Sequence, residues 1–348
     1  MQANVLRSIQ EPDIARWTIR TISSLVIMVC LTLVSTCIRA ASLETPIGDT
    51  GIPEQPVPEQ PVPEQSIAAT TFAELQRYLL RREPNVDLFR PRGPFGVAIQ
   101  ADRELRLTSA ERIRTDVYLS RPAAKAPLVI FLHGHESSKR AHANQAAHLA
   151  SWGMHSLTVQ LPDKGPWDAN GRTLARLVRL VHRAPQAIDG RIDTSKIILV
   201  GHSFGAYAVA VALAEGAPAA GAVLLDPAAV GKDSPNVLRR IRKPVMVLGA
   251  DDDEDAPRNR DYYFEYVRGD VAEVSIRGAA HEDAQYPSDF ALQNGGVDPD
   301  TTEALQVTFT SAIAAAAISI AATGALDYAW TSFRPLVQNG KLFNAKTK

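Results

Sequence analysis

The segment G-H-S-F-G at 201–205 sets a serine between two glycines, directly after an apolar, strand-like run and before an alanine-rich stretch. A serine is presented at such a strand-to-helix turn only if its backbone is strained and its neighbours are small, which is why Gly201 and Gly205 flank it. The pattern predicts a nucleophilic Ser203. It also directs the backbone N–H of Phe204 toward the charge that develops on an attacked carbonyl oxygen. The alternative is a tight turn with an incidental serine.

Two kinds of group that can activate this serine follow it along the chain. An apolar run over 243–248 ends in the acidic loop GADDDEDAP at 249–257, and the next predicted strand, over 271–276, leads into His281. A histidine in a small-residue loop can take up the serine proton and return it. A carboxylate of the acidic loop can orient that histidine. Because like charges this close cannot all be buried, most of them must be solvated, and residue types alone leave the choice open.

The loop H-G-H-E at 133–136 follows another predicted strand. Gly134 lets the backbone approach a substrate, and the backbone N–H of His135 is the predicted second donor to the oxyanion. His133 and His135 also have the spacing of a metal-binding pair. That alternative needs further ligands close by, which the following Glu-Ser-Ser does not supply, so the sequence predicts no metal and no organic cofactor.

Strand-like runs alternate with helical patterns through most of the chain. The predicted strands are 96–99, 115–119, 128–132, 155–161, 197–200, 222–225, 245–248 and 271–276, and the predicted helices are 141–152, 172–182, 206–215 and 302–322. Alternation of this kind predicts a mostly parallel sheet covered on both faces, with catalytic groups at the carboxyl ends of the strands. Thr71 and Glu74 form a capping-box pattern that begins a further helix. The apolar helix over 302–322 is predicted to be a core helix rather than a membrane segment.

The N-terminal part has a different composition. An apolar run over 22–38 follows two arginines and leads into two alanines, which is the order of residues in a secretory signal; an uncleaved membrane anchor is the alternative. Both cysteines lie in this run, so after cleavage neither a disulfide nor a thiolate metal site remains. The repeat PEQPVPEQPVPEQ at 53–65 predicts a stiff, extended spacer. We therefore expect an exported protein, periplasmic or secreted.

These patterns divide the chain into four parts. They are a signal or anchor (1–41), a linker (42–70), a catalytic domain (71–335) and a C-terminal tail (336–348). With 348 residues, of which 45% are hydrophobic, the chain can bury one large core. Its formal net charge of −1, from 37 basic and 38 acidic residues, leaves no surplus for holding a polyanion and excludes nucleic acid as a partner. The sequence carries no signal for the oligomeric state.

Five segments, FLHGHESS, GHSFGAY, LLDPA, VLGADDDEDAP and GAAHED, resemble the dienelactone-hydrolase-like branch of the α/β-hydrolases. This branch includes chlorophyllases, platelet-activating-factor acetylhydrolases and bacterial cutinases that act on polyesters. The resemblance extends over about residues 127–281. It implies an α/β-hydrolase fold, with a mostly parallel, doubly wound sheet and helices on both faces. The order of serine, acid and histidine along the chain is also that of this fold.

The resemblance also selects one acid. In the cutinases a loop of the form Gly-Ala-Asp-x-Asp-x-x-Ala-Pro carries the catalytic acid at its second aspartate, which implies Asp253 here. Asp226, followed by a proline, resembles the chlorophyllases instead. Two positions depart from the polyester hydrolases, since His135 replaces a usual aromatic residue and Ala228 a frequent tryptophan. Both departures weaken the case for a flat aromatic polymer as substrate.

Together these observations predict a serine hydrolase that cleaves carboxylic esters through an acyl-enzyme on Ser203, with His281 as base and Asp253 orienting it. Only about 17 residues lie between Asp226, at the end of one predicted strand, and Pro244, near the start of the next, which is too few for a lid domain. The cleft should be open and should favour short acyl esters of a small or polymeric substrate. Membrane contact is expected only through an uncleaved N-terminal segment. The alternatives are a peptidase, a lipase or polyester hydrolase of the same fold, and a binding protein that has lost catalysis.

Overall fold

The computed structural model describes residues 71–121, 124–228, 233–251 and 259–348. The predicted signal and linker, over 1–70, lie outside the described residues. In the described part of the chain, nine strands form one sheet in the order β1-β2-β4-β3-β5-β6-β7-β8-β9. The strands are β1 (Gly96–Arg106), β2 (Arg112–Arg121), β3 (Ala126–Leu132), β4 (His155–Gln160), β5 (Ile192–His202), β6 (Gly221–Leu225), β7 (Val245–Gly249), β8 (Val271–Ile276) and β9 (Leu342–Thr347).

The sheet is parallel from β4 through β8 and antiparallel at both edges, where β1 and β2 lie on one side and β9 on the other. The strand order reverses at β3, which has β4 on one side and β5 on the other. In a doubly wound sheet, the carboxyl ends of the strands at such a reversal form a crevice. The predicted mostly parallel, doubly wound architecture is confirmed.

The α-helices of the described residues cover both faces of the sheet. They are α1 (Phe72–Leu80), α2 (Ala143–Ser151), α3 (Trp167–Arg183), α4 (Phe204–Ala214), α5 (Ser234–Leu238), α6 (Asn259–Tyr266), α7 (Asp289–Asn294), α8 (Glu303–Thr323), α9 (Asp327–Ser332) and α10 (Arg334–Gln338). One apolar layer contains α1, α2 and α8, and the other contains α3, α4 and α6. Successive residues of β3 alternate between the two layers, so the strand is apolar throughout.

Helix α8 is the one helix of the described residues that is long and apolar enough to cross a membrane, and 78% of its apolar window is buried inside the domain. Its alanines let the helix backbone approach the sheet closely. Thr302 begins the helix by accepting a hydrogen bond from the Leu305 N–H at 3.3 Å, and Gly324 ends it in the left-handed region with φ 71°. The predicted core helix is therefore confirmed.

Helix α1 begins as its sequence predicts. The Thr71 hydroxyl accepts a hydrogen bond from the Glu74 N–H at 3.2 Å, and the Glu74 carboxylate accepts one from the Thr71 N–H at 3.1 Å. This reciprocal arrangement satisfies two backbone donors that a helix start leaves without intrahelical partners.

The stretch 336–348, predicted as a tail, instead contains the last strand of the sheet. Strand β9 pairs antiparallel with β8, and the Lys348 N–H and the Val271 N–H each donate to the other residue's carbonyl, at 2.9 and 3.0 Å. The Lys346 ammonium lies between Asp261 at 2.9 Å and the buried Glu273 at 3.3 Å. A short strand of mixed polarity has no strong periodic signal, but it covers an edge that would otherwise leave backbone groups unpaired.

Candidate active site

Ser203 stands between the end of β5 and the first residue of α4, with φ 53° and ψ −124°. An L-residue reaches this conformation only at a cost of about 1–3 kcal/mol, and such strain concentrates at functional sites. The serine is 7% exposed. Its N–H donates to the Leu225 carbonyl at 3.0 Å, and its own carbonyl accepts from the Ala228 N–H at 3.1 Å. These bonds fix the turn against the carboxyl end of β6.

The two glycines of the turn are required by close packing. A Cβ on Gly201 would overlap the Gly205 carbonyl oxygen, and a Cβ on Gly205 would overlap the carbonyl oxygen of His133. The helix can therefore start directly behind the serine only if both positions lack side chains. The structure thus gives a steric reason for both predicted elbow glycines.

His281 follows β8, at the start of a short 3-10 helix (His281–Ala284). Its Nδ1 lies 2.5 Å from Oδ2 of Asp226, the residue that directly follows β6. The His281 ring packs against the ring of His202, with centroids 4.4 Å apart, and His202 immediately precedes Ser203. Serine, histidine and aspartate are thus brought together from the ends of β5, β8 and β6.

The Asp226 carboxylate is held from two sides. Its Oδ1 accepts hydrogen bonds from the Ala250 N–H and from Nη1 of Arg260, both at 3.0 Å, which leaves Oδ2 to His281. Burial acts to raise the pKa of this carboxyl, but the bond and charge of His281, the Ala250 N–H and the Arg260 charge together hold the pKa below its usual value. Asp226 is therefore ionised at neutral pH. Its φ of 36° is a second strained backbone position at this site.

Arg260, on α6, is a residue of the candidate site that sequence reasoning missed. Its guanidinium is almost fully buried, and Nη1 also donates to the Ala250 carbonyl at 2.7 Å. A Cβ on Gly249 would overlap this guanidinium. The sequence signals this contact only weakly, through Gly249 at the end of a buried strand and, further along the chain, Arg260 in a polar helix.

Asp253, the predicted acid, lies outside the described residues. Within them, the carboxylate bonded to Nδ1 of His281 belongs to Asp226, whose Asp-Pro pair resembles the chlorophyllases. Asp251, at the start of the acidic loop, bonds through Oδ2 to the Gly278 N–H at 2.7 Å and so ties this loop to the one that carries His281.

The loop after β3 follows the strand that flanks β5 on the side opposite β6. A Cβ on Gly134 would lie 3.0 Å from Cβ of Ser203, so the backbone at Gly134 passes directly beside this serine. Phe204 is the first residue of α4, where a backbone N–H has no intrahelical partner. The two residues predicted as oxyanion donors, His135 and Phe204, thus each follow a residue of the turn region directly in the chain, His135 after Gly134 and Phe204 after Ser203.

The side chains of these two residues belong to an aromatic row. The Phe204 ring stacks on Trp167 at a centroid distance of 5.5 Å and lies 5.7 Å from the exposed His135 ring. His133 points away from this row, into the protein. Its Nδ1 lies 2.9 Å from the Gly134 carbonyl and its Nε2 accepts from the Leu161 N–H at 3.3 Å, so both ring nitrogens already have protein partners. This geometry argues against a metal-binding pair with His135.

A strained serine turn after β5, with a carboxylate after β6 and a histidine after β8, defines a doubly wound α/β protein with its candidate site at the carboxyl ends of the parallel strands. The sequence profile of the Alpha/beta hydrolase family matches residues 129–337, more than half of the 348 residues, and includes all three groups. The chain belongs to the alpha/beta hydrolase family, whose members are generally hydrolytic. A comparison with curated proteins gave no match.

Proposed function

We propose that this protein is a serine hydrolase that cleaves carboxylic esters, with Ser203 as nucleophile, His281 as general base and Asp226 as the acid that orients it. The observation that carries the proposal is the 2.5 Å contact between His281 and Asp226, next to a serine in a strained turn. The proposal replaces Asp253 by Asp226 because Asp226 has its other oxygen fixed by two donors, so that Oδ2 faces the imidazole.

The reaction follows from this arrangement. An imidazole that donates its Nδ1 proton to a carboxylate carries a lone pair on Nε2, which can accept the hydroxyl proton of Ser203 as the serine oxygen attacks the ester carbonyl carbon. The backbone N–H groups of Phe204 and His135 then stabilise the oxyanion. His281 returns the proton to the departing alcohol, and an acyl-enzyme remains on Ser203. Water attacks the acyl-enzyme by the same steps, which releases the carboxylic acid and restores the serine.

We further propose that the enzyme belongs to the dienelactone-hydrolase-like branch and favours short acyl esters. The five segments named above support the branch. Between β6 and β7 the described residues contain only the five-residue helix α5, which supports an open cleft.

Export of the protein is a further proposal. It predicts that cells release a mature chain lacking about the first 41 residues, which intact-mass measurement would reveal.

The proposal is tested by labelling the purified protein with a fluorophosphonate probe and by hydrolysis of p-nitrophenyl butyrate. We expect Ser203→Ala to abolish labelling and to lower kcat by several orders of magnitude while the protein stays folded. Ser195→Ala, on the same strand but at its opposite end, is the matched control and should behave like the wild type. Labelling that persists in Ser203→Ala would refute the proposal that Ser203 is the nucleophile. A kcat/KM for peptide p-nitroanilides that exceeds the value for p-nitrophenyl butyrate would instead identify a peptidase.

A further inference from the structure

His202, the residue before the nucleophile, lies underneath the catalytic histidine. It is 2% exposed, and its ring packs against that of His281 with centroids 4.4 Å apart. Its Nε2 lies 3.1 Å from the backbone carbonyl oxygen of His281. The steps of the proposed reaction do not use this side chain, yet it touches both the ring and the backbone of the base.

The protonation state of His202 follows from the amide of Gln285. The backbone N–H of Asp289 is necessarily a donor, and it lies 2.9 Å from Oε1 of Gln285, which fixes that end of the amide as the oxygen. The other end is then the NH₂ group. Its two hydrogens point to Oδ2 of Asp289 at 2.9 Å and to Nδ1 of His202 at 3.2 Å. Nδ1 of His202 is therefore an acceptor, and the ring proton is on Nε2.

This tautomer makes the contact with His281 a true hydrogen bond. Nε2–H of His202 donates to the His281 carbonyl, so a continuous chain of bonds runs from Asp289 through Gln285 and His202 to His281. A second proton on His202 would have to sit on Nδ1, facing the NH₂ group of Gln285. The geometry therefore keeps the ring neutral. Burial, with the neighbouring His281 and His142 rings, also holds the pKa of His202 well below its usual value.

The location of the bond explains its value to the reaction. His281 follows Gly278, Ala279 and Ala280, and the loop is held by the buried Ala279 and by the bond from the Gly278 N–H to Asp251. None of these three side chains has a polar group that could bond to the imidazole and orient it. The imidazole must nonetheless stay aligned with Ser203, since a displacement of about 1 Å can cost about 10²-fold in rate. A neutral neighbour is also required, because a charged ring at this distance would oppose the positive charge that His281 acquires on taking up the serine proton.

We propose that His202 is a positioning residue for His281, held in its Nε2–H tautomer by Gln285 at the start of the segment that leads into α7. This inference rests on the proposed function. It assigns a role in catalysis to the segment 285–289, which is linked to the base through His202.

The first experiment compares three variants of the full chain. We expect His202→Met to lower kcat by about 10²-fold with KM unchanged, because the substrate contacts remain but the base is no longer held. His202→Gln, whose amide can place a donor where Nε2 lies, should recover most of this loss. His155→Met is the matched control, because His155 is a fully buried histidine with a backbone partner, the Ser120 N–H, at the far end of β4. It should lower the melting temperature without changing kcat.

Two further measurements keep the inference open to refutation if His202→Met does not fold. Gln285→Met should lower kcat on its own, and it should have no further effect in the His202→Gln background if both residues act through one chain of bonds. Additive losses would overturn the inference, as would equal values of kcat for His202→Met and His155→Met. The ¹⁵N imidazole spectrum of the wild type should show His202 protonated on Nε2 from pH 5 to 8. A different tautomer refutes the positioning role even in an active enzyme, whereas an inactive wild type refutes the proposed function.

Discussion

Replacing Asp226 by asparagine gives the sharpest test of the revised acid, because the structure determines which way the new amide must point. The Ala250 N–H and Arg260 both donate to Oδ1, and only the carbonyl end of an asparagine can accept those two bonds. The NH₂ group of the asparagine must then face Nδ1 of His281, where the carboxylate oxygen lies now. The substitution changes almost no volume but reverses the direction of this bond.

The size of the effect follows from the tautomer. An NH₂ donor opposite Nδ1 leaves the imidazole proton on Nε2, so His281 can no longer accept the proton of Ser203. Loss of the correct tautomer in a triad costs about 10⁴-fold, which at about 1.4 kcal/mol for each tenfold step corresponds to about 5.5 kcal/mol of transition-state stabilisation. We expect this loss in kcat/KM, with most of it in kcat.

The assay is steady-state hydrolysis of p-nitrophenyl butyrate, with the folded fraction measured by circular dichroism. Asp251→Asn and Asp253→Asn are the controls from the acidic loop, and each should retain kcat/KM within about tenfold of the wild type, a change of about 1.4 kcal/mol. The reasoning fails if Asp226→Asn retains more than about a tenth of the wild-type activity, or if Asp253→Asn is the more damaging change.

Three further outcomes are expected. Arg260→Met removes a cation that faces Asp226 and opposes protonation of His281. The midpoint of the acid limb in the profile of kcat/KM against pH should therefore move to higher pH. An unchanged midpoint, or a move to lower pH, would contradict this expectation. Gly205→Ala forces a Cβ against the His133 carbonyl and should lower the free energy of unfolding, measured by urea titration, by about 1–3 kcal/mol. A urea midpoint equal to that of the wild type would show that the turn is not close-packed. Across acetyl, butyryl, octanoyl and palmitoyl esters, kcat/KM should peak at the short acyl chains, because each methylene left in water forfeits about 0.8 kcal/mol of binding free energy. A maximum at palmitoyl, with higher activity once the substrate forms micelles, would indicate a lid.

Much of the fold was predictable because its central elements are periodic. The strand over 271–276 and the helix near 302–322 agree with the structure to within about a residue, since buried strands and capped helices leave strong patterns. The elements that sequence reasoning missed are short or mixed in polarity. Helices α6 and α7 have polar and aromatic residues without a clear stripe, and β9 has only one buried residue. Their positions depend on tertiary contacts that no local pattern records.

The candidate site could be anticipated from the sequence where the proposed chemistry dictates local residue types, but not where the arrangement depends on packing. Ser203 needs glycines on both sides, and those glycines are visible in the chain. The acid is different, because a single carboxylate after β6 and a crowded acidic loop after β7 both lie at strand ends. Only the hydrogen bonds of Asp226 with His281 and Arg260 favour the carboxylate after β6 over those of the acidic loop. His202 could not have been singled out either, since its role follows from a hydrogen-bond direction that only coordinates define.

Strand β9 has a practical consequence for handling the protein. It covers the outer edge of β8, whose six residues are all buried, and its pairing extends to Lys348. Removing residues 336–348 would turn that edge into a row of unpaired backbone donors and acceptors beside apolar side chains, and Glu273 would lose its lysine partner. Shortened chains should therefore precipitate or form intermolecular sheets. A purification tag fused directly to Lys348 would start inside the hydrogen-bond ladder, so it needs a flexible spacer.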